Sequence, residues 1–95
     1  MARVELARAA VEDIERLVVM LSLPPDTSVR VARSLRTLEQ FPRLGVALPG
    51  RWDGLRCLVG PWRWMLLVYE YREEEDRVVV VTVQDARSSS AVTGS

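Results

Sequence analysis

Two arginines stand in a stretch whose other residues belong in a core. Arg56 and Arg63 lie within residues 54–71, GLRCLVGPWRWMLLVYEY, which read as two strands about a tight Gly60-Pro61 turn. A guanidinium is planar, permanently charged and carries five donors in a fork, so its natural ligands are phosphate and carboxylate. Arg87 follows the last strand and falls at the same end of the sheet if that strand pairs beside the second. Across the short turn, Arg56 and Arg63 are expected to approach each other on one face. With Trp62 and Tyr69 nearby, these three arginines suit a phosphate flanked by a base. An equally open alternative is that each arginine pairs with an acid such as Asp53, Glu70 or Asp85 and caps the sheet.

Much other chemistry is excluded. The chain has no histidine, which removes histidine general-base catalysis, the serine triad, the Cys–His pair and histidine-ligated metals. Cys57 is the single cysteine, so neither an internal disulfide nor a cysteine zinc site can form. Its alternating position suits a small buried residue, with a reactive thiol as the minority reading. No Gly-rich phosphate loop or dinucleotide fingerprint is present, and neither a cofactor nor a metal is expected. The carboxylates Glu12 and Asp13 fit a solvated helix face. The run Glu73 to Asp76 fits a soluble hairpin tip that discourages edge pairing and lacks the spacing of a calcium loop. Trp52, Trp62 and Trp64 read as core or interface anchors rather than base-stacking platforms.

Charge is balanced but unevenly placed. All 13 positive charges are arginine, and residues 70–77 hold five acids and two arginines, leaving eight acids and eleven arginines elsewhere. A modestly basic body with an acidic loop is unlike a protein that coats nucleic acid without specificity. The 95 residues fit one domain, no apolar run is long enough to span a membrane, and no secretory signal pattern is seen at the N-terminus, so a cytoplasmic protein is expected.

The elements that must position the arginines follow from periodicity. Ala2 to Leu6 suits an edge strand. Ala10, Ile14, Leu17, Val18 and Leu21 form one helical face, ended by Pro24-Pro25. Asp26, Thr27 and Ser28 are candidate N-caps of a second helix with Val31, Leu35 and Leu38 buried, stopped at Phe41-Pro42. Residues 43–53 read as a loop, followed by strands at about Leu55–Val59, Arg63–Tyr71 and Arg77–Gln84. Val78 to Val81 is apolar throughout, as in a strand covered on both faces. Alternation groups Arg63, Met65, Leu67, Tyr69 and Tyr71 on the face expected to be open. Trp64, Leu66, Val68 and Glu70 then lie on the packed side. The expected class is α+β, ordered β-α-α-β-β-β, an antiparallel sheet with a helix hairpin on one face. Residues 1–87 would form the domain and 88–95 a flexible tail.

Several fragments recur in a characteristic order: Phe41-Pro42-Arg43-Leu44-Gly45, Leu48-Pro49-Gly50, Gly54-Leu55-Arg56 and Val59-Gly60-Pro61-Trp62-Arg63, with Ala10, Asp13 and Ile14 earlier. Together they resemble the RelE/ParE superfamily of toxins from bacterial type II toxin–antitoxin systems. The resemblance implies a fold like that of small microbial ribonucleases and a cognate antitoxin partner, and leaves a homodimer open. RelE-like members cleave mRNA in the ribosomal A site through attack of the 2′-hydroxyl on the neighbouring phosphate. On that reading Arg56, Arg63 and Arg87 would be catalytic, stabilising the developing charge. The family tyrosine after the G-x-Y-R arginine is Leu66 here, and Tyr69 is its nearest substitute. Asp85-Ala86 stands where a histidine or lysine is often found, and the family's C-terminal tyrosine is missing, so no general acid or base is evident. ParE-like members inhibit DNA gyrase by binding and need none. An inactive toxin fold kept as an interaction module is the third option.

Overall fold

The 3–4 spacing of Ala10, Ile14, Leu17 and Val18 does produce a helix, α1 (Arg8–Leu21), which buries Ala10 and Ile14. It ends where Ser22 enters the left-handed region and its N–H returns to the Val18 carbonyl, just ahead of Pro24-Pro25. The structure is a computed structural model that describes residues 1–88; the tail expected at 88–95 lies almost wholly outside them. Around α1 the chain forms β1 (Arg3–Leu6), α2 (Thr27–Leu35), the single-turn α3 (Thr37–Gln40), β2 (Val46–Ala47), β3 (Arg56–Val59), β4 (Met65–Arg72) and β5 (Arg77–Asp85). The α+β class is as expected.

Three features of the helical half differ from the sequence reading. The expected second helix is divided at Arg36, where bonds from Arg36 to Arg33 and from Glu39 to Arg36 tighten the backbone. Asp26 holds the N-cap position of α2 without capping it, because its carboxylate accepts from Arg30 Nε instead. The Thr27 hydroxyl donates to the Pro24 carbonyl at 2.6 Å, which lets Thr27 be buried.

The strands form one sheet in the order β1-β5-β4-β3-β2. Its hairpin-connected pairs are antiparallel, but β1 runs parallel to β5, with Val4 opposite Val78, so the sheet is mixed rather than wholly antiparallel. Short turns dictate direction between β3, β4 and β5. No short turn joins β1 to β5, and the intervening helices carry the chain across. Residues 43–53, expected as a loop, contain the two-residue β2 and a single 3-10 turn at Gly50–Trp52.

Alternation along β4 is as expected, but the two sides are exchanged. Met65, Leu67 and Tyr69 pack with Ala10, Ile14, Val31, Leu35, Leu38, Val78 and Val80 in the helix-side core. Leu66 and Val68 form a second cluster with Leu48 and Cys57 on the opposite face, under Trp52 and Leu55. Periodicity assigns residues to shared faces; which face the helices cover is set by crossover geometry. The face expected to be open is therefore the core, and the other is partly roofed by residues 48–55. Along β5, Val78 and Val80 are buried whereas Val79 and Val81 are only half-buried, so its double-sided burial is incomplete.

A bulge sits in β5, where Tyr69 pairs with Val80 and Val68 with Thr82, leaving Val81 extra. Past Leu6 there is no β1 to cover the edge of β5. Asp13 from α1 fills the place: one carboxylate oxygen accepts from the Thr82 hydroxyl at 2.6 Å and the Val83 N–H at 3.1 Å. Asp13, expected on a solvated face, is a tertiary connector.

Candidate functional site

The two hairpin arginines are at opposite ends. β3 stops at Val59 and β4 starts at Met65, with Gly60 N–H bonded to the Met65 carbonyl at 2.8 Å and Met65 N–H to that of Trp62 at 3.0 Å. Arg63 therefore belongs to a wider turn, not to a strand. Arg56 pairs with Tyr69, and three residues along β3 Val59 pairs with Leu66, about 10 Å away at strand rise. The expected approach of Arg56 to Arg63 does not occur. The Gly60-Pro61 dipeptide marks a turn but leaves its length undetermined.

At the Arg56 end, polar contacts hold the chain together. Arg56 Nη1 donates to the carbonyls of Gly45 at 2.8 Å and Arg43 at 3.2 Å. Its cross-strand neighbour Tyr69 is wholly buried, and its hydroxyl accepts from Gly45 N–H and donates to the Pro42 carbonyl, each at 2.8 Å. Burial pushes the Tyr69 hydroxyl above its ordinary value, the Gly45 N–H and the Arg56 charge opposing only in part. A side chain at position 45 would meet the Tyr69 ring at 2.7 Å and the Cys57 carbonyl at 2.9 Å, so glycine is required by close approach. Arg43 continues the arrangement, lying over the Tyr71 ring at 5.2 Å and pairing with Glu73. The acidic run is partly neutralised by arginines: Glu75 contacts Arg77 at 3.2 Å, and Tyr71 donates to Asp76 at 2.9 Å. Tyr69 and Arg56 thus clamp residues 42–45, and Tyr69 has no surface from which to reach a substrate.

The other end is different. Trp62 and Trp64 stack with ring centroids 5.9 Å apart and planes 11° from parallel. Arg30 of α2 lies over Trp62 at 5.7 Å, and Arg87 lies over Trp64 at 4.8 Å. The result is a four-layer stack, guanidinium–indole–indole–guanidinium, joining α2, the β3–β4 turn and the chain after β5. Both tryptophans also pack on the helix-side core, as anchors do. Arg87 is fixed further by Asp85: Nε donates to Oδ1 at 2.9 Å and Nη2 to Oδ2 at 2.8 Å. The hydrogen bond from Arg87 holds the Asp85 carboxyl below its ordinary range. The Ala86 N–H bonded to the Trp64 carbonyl at 2.6 Å ties this segment to the turn.

Arg63, between the two tryptophans in sequence, is exposed and among the described residues makes no ion pair, side-chain hydrogen bond or ring contact. The three arginines thus separate residue by residue: Arg87 is paired with an acid, Arg56 with backbone carbonyls, and Arg63 with nothing among the described residues. Arg63 and Arg87 come to the same end of the sheet, while Arg56 and Tyr69 do not join them. Arg30 joins them instead, a residue that strand reasoning could not find because helix packing alone delivers it. The end carries three arginines, and its two contacting acids are each engaged, Asp85 by Arg87 and Asp26 by Arg30. Among the described residues no group of three or more His, Cys, Asp or Glu side chains could hold a metal, and no helix is long and apolar enough to cross a membrane.

No protein-family model matches the sequence, and no curated protein matches it significantly. Solved structures do match the fold. The toxin–antitoxin complex RelBE2 from Mycobacterium tuberculosis superposes with a TM-score of 0.69 at 22% identity, covering 88% of this chain and 96% of that one. The intact RelBE toxin–antitoxin complex from E. coli gives 0.68 at 15% identity, over 93% and 100%. The chromosomal ParDE system from P. aeruginosa gives 0.64 at 17% identity, over 92% and 98%. The chain has the fold shared by the RelE and ParE toxins.

Proposed function

We propose that this protein is the toxin of a type II toxin–antitoxin pair, with a cognate antitoxin as partner, and that it acts in the RelE manner by cleaving mRNA on the ribosome. One observation carries the reading: Arg63 is exposed and unpaired on a turn braced by stacked tryptophans, beside an Arg87 already oriented by Asp85 and Trp64. Attack of a 2′-oxygen on the adjacent phosphorus forms one P–O bond and breaks that to the 5′-oxygen. The products are a 2′,3′-cyclic phosphate and a 5′-hydroxyl. Negative charge gathers on the non-bridging oxygens during attack, where Arg63 and Arg87 would stabilise it. The proton lost from the 2′-hydroxyl finishes on the 5′-oxygen, and among the described residues this end supplies no histidine, lysine or tyrosine to carry it. The transfer therefore runs through solvent or the ribosome.

The test is cleavage of mRNA on programmed ribosomes by the purified protein. Site-specific cuts ending in cyclic phosphate, reduced about 100-fold or more by Arg63→Ala, are expected for the loss of one charge-stabilising group. No cleavage by the intact protein overturns the reading. The missing proton-transfer group favours a second reading, inhibition of DNA gyrase by binding as in ParE-like members. DNA breaks on induction, with translation unaffected, would establish that reading instead. No toxicity in several hosts would leave an interaction module.

A further inference from the structure

Arg63 is one of several arginines with no partner. Among the described residues, Arg33 and Arg36 likewise make no ion pair, side-chain hydrogen bond or ring contact, and both are exposed. Glu39, which shares a surface hollow with Arg36, forms no ion pair with it. Arg30, one turn before Arg33, is bound to Asp26 through Nε, and its terminal nitrogens make no hydrogen bond among the described residues. Residues 30 and 33 of α2 and its C-cap Arg36 form one i, i+3, i+6 row, opposite the buried Val31 and Leu35, and span about 9 Å of helix axis. The row is continuous with the site, because Arg30 is also the outer layer of the stack over Trp62. Arg36, Arg33, Arg30, Arg63 and Arg87 therefore make a single cationic band that runs from the helix onto the turn.

We propose that the outer face of α2, through Arg30, Arg33 and Arg36, is a docking track for the sugar–phosphate backbone of single-stranded RNA leading into the Arg63 end. This deepens the RNA reading above and rests on it. A polyanion fits because the band carries five arginines against two paired acids, Asp26 on Arg30 and Asp85 on Arg87. RNA is the occupant because the band is continuous, through Arg30 over Trp62, with the Arg63 end, where the proposed reaction takes an RNA phosphate. Both tryptophan rings are already covered by arginines and by each other, so the track reads backbone charge and not base identity.

Binding of a labelled oligouridylate by the full chain, measured over a range of salt, tests the track. Arg33→Gln/Arg36→Gln is expected to lower the salt slope by about 1.4 and to weaken binding on the order of 10-fold at 0.1 M salt, as two lost phosphate contacts on a single strand would. Neither residue has a partner in the fold, so the melting temperature should not move, and Arg33→Lys/Arg36→Lys should restore most of the slope. Arg51→Gln, which removes a charge lying over Trp52 on the other face, should leave both unchanged. Unaltered slope and affinity in the double glutamine variant overturn the track and leave the toxin reading standing. No binding by the intact chain also overturns it, while cleavage on ribosomes decides that reading separately. Equal displacement of the oligouridylate by polyglutamate of matched charge would reassign the face to an acidic protein.

Discussion

Replacing Tyr69 by phenylalanine distinguishes a catalytic hydroxyl from a structural one. The ring would stay in the core between the helices and β5, so no cavity is created; only the oxygen goes. That oxygen accepts from Gly45 N–H and donates to the Pro42 carbonyl, both at 2.8 Å and in a wholly buried side chain. An orphaned buried donor costs about 1–3 kcal/mol and a lost neutral bond about 1, so Tyr69→Phe should destabilise by about 2–4 kcal/mol. Against a typical total of about 5–15 kcal/mol this is severe but not unfolding. The melting temperature should fall by about 10–25 °C, and the denaturation midpoint should drop with the slope unchanged. RNA cleavage, assayed well below the new transition, should survive. A variant within about 0.5 kcal/mol of the parent would refute the clamp. A stably folded variant without cleavage would return Tyr69 to the reaction.

Other predictions follow the same contacts. Gly45→Ala should be destabilising by about 2 kcal/mol or more, because its Cβ overlaps the Tyr69 ring and the Cys57 carbonyl, and denaturant titration reads the loss. Asp13→Ala should cost about 1–3 kcal/mol by freeing the Val83 N–H and the Thr82 hydroxyl, and faster amide exchange at Val83 should locate the damage. Asp85 has its carboxyl pKa lowered by Arg87, so its contribution is present above the unfolded value near 4 and disappears as pH falls through the folded one. Asp85→Asn should accordingly lower stability above about pH 4, flatten the acid limb of the profile, and leave stability below the folded value little changed. The same variant should free Arg87, which a fall in cleavage at neutral pH, assayed well below the melting transition, would register.

Local pattern made much of the fold legible. The 3–4 spacing of Ala10, Ile14 and Leu17, the Pro24-Pro25 stop and the alternation of β4 each follow from steric rules acting within a few residues. So does the separation of the two β4 faces. Steps that needed distant elements were not legible. The direction of β1 depends on a crossover, and which β4 face the helices cover depends on how that crossover packs. Whether Gly60-Pro61 makes a two-residue turn or a wider one depends on hydrogen bonds that close only at Met65.

The candidate site divides along the same line. Residue types alone determined that any side-chain cation here is an arginine and that little is available to move a proton near neutral pH, since the chain has no histidine or lysine. Tertiary structure decided which arginines remain available. Arg56 is held through Nη1 by the carbonyls of residues 43 and 45, Arg87 is oriented by Asp85 and Trp64, Arg30 is brought in by α2, and Arg63 has no partner among the described residues. A guanidinium carries the same charge everywhere in a sequence. Its availability depends on which donors the fold has already satisfied, and those partners arrive from elements far apart along the chain.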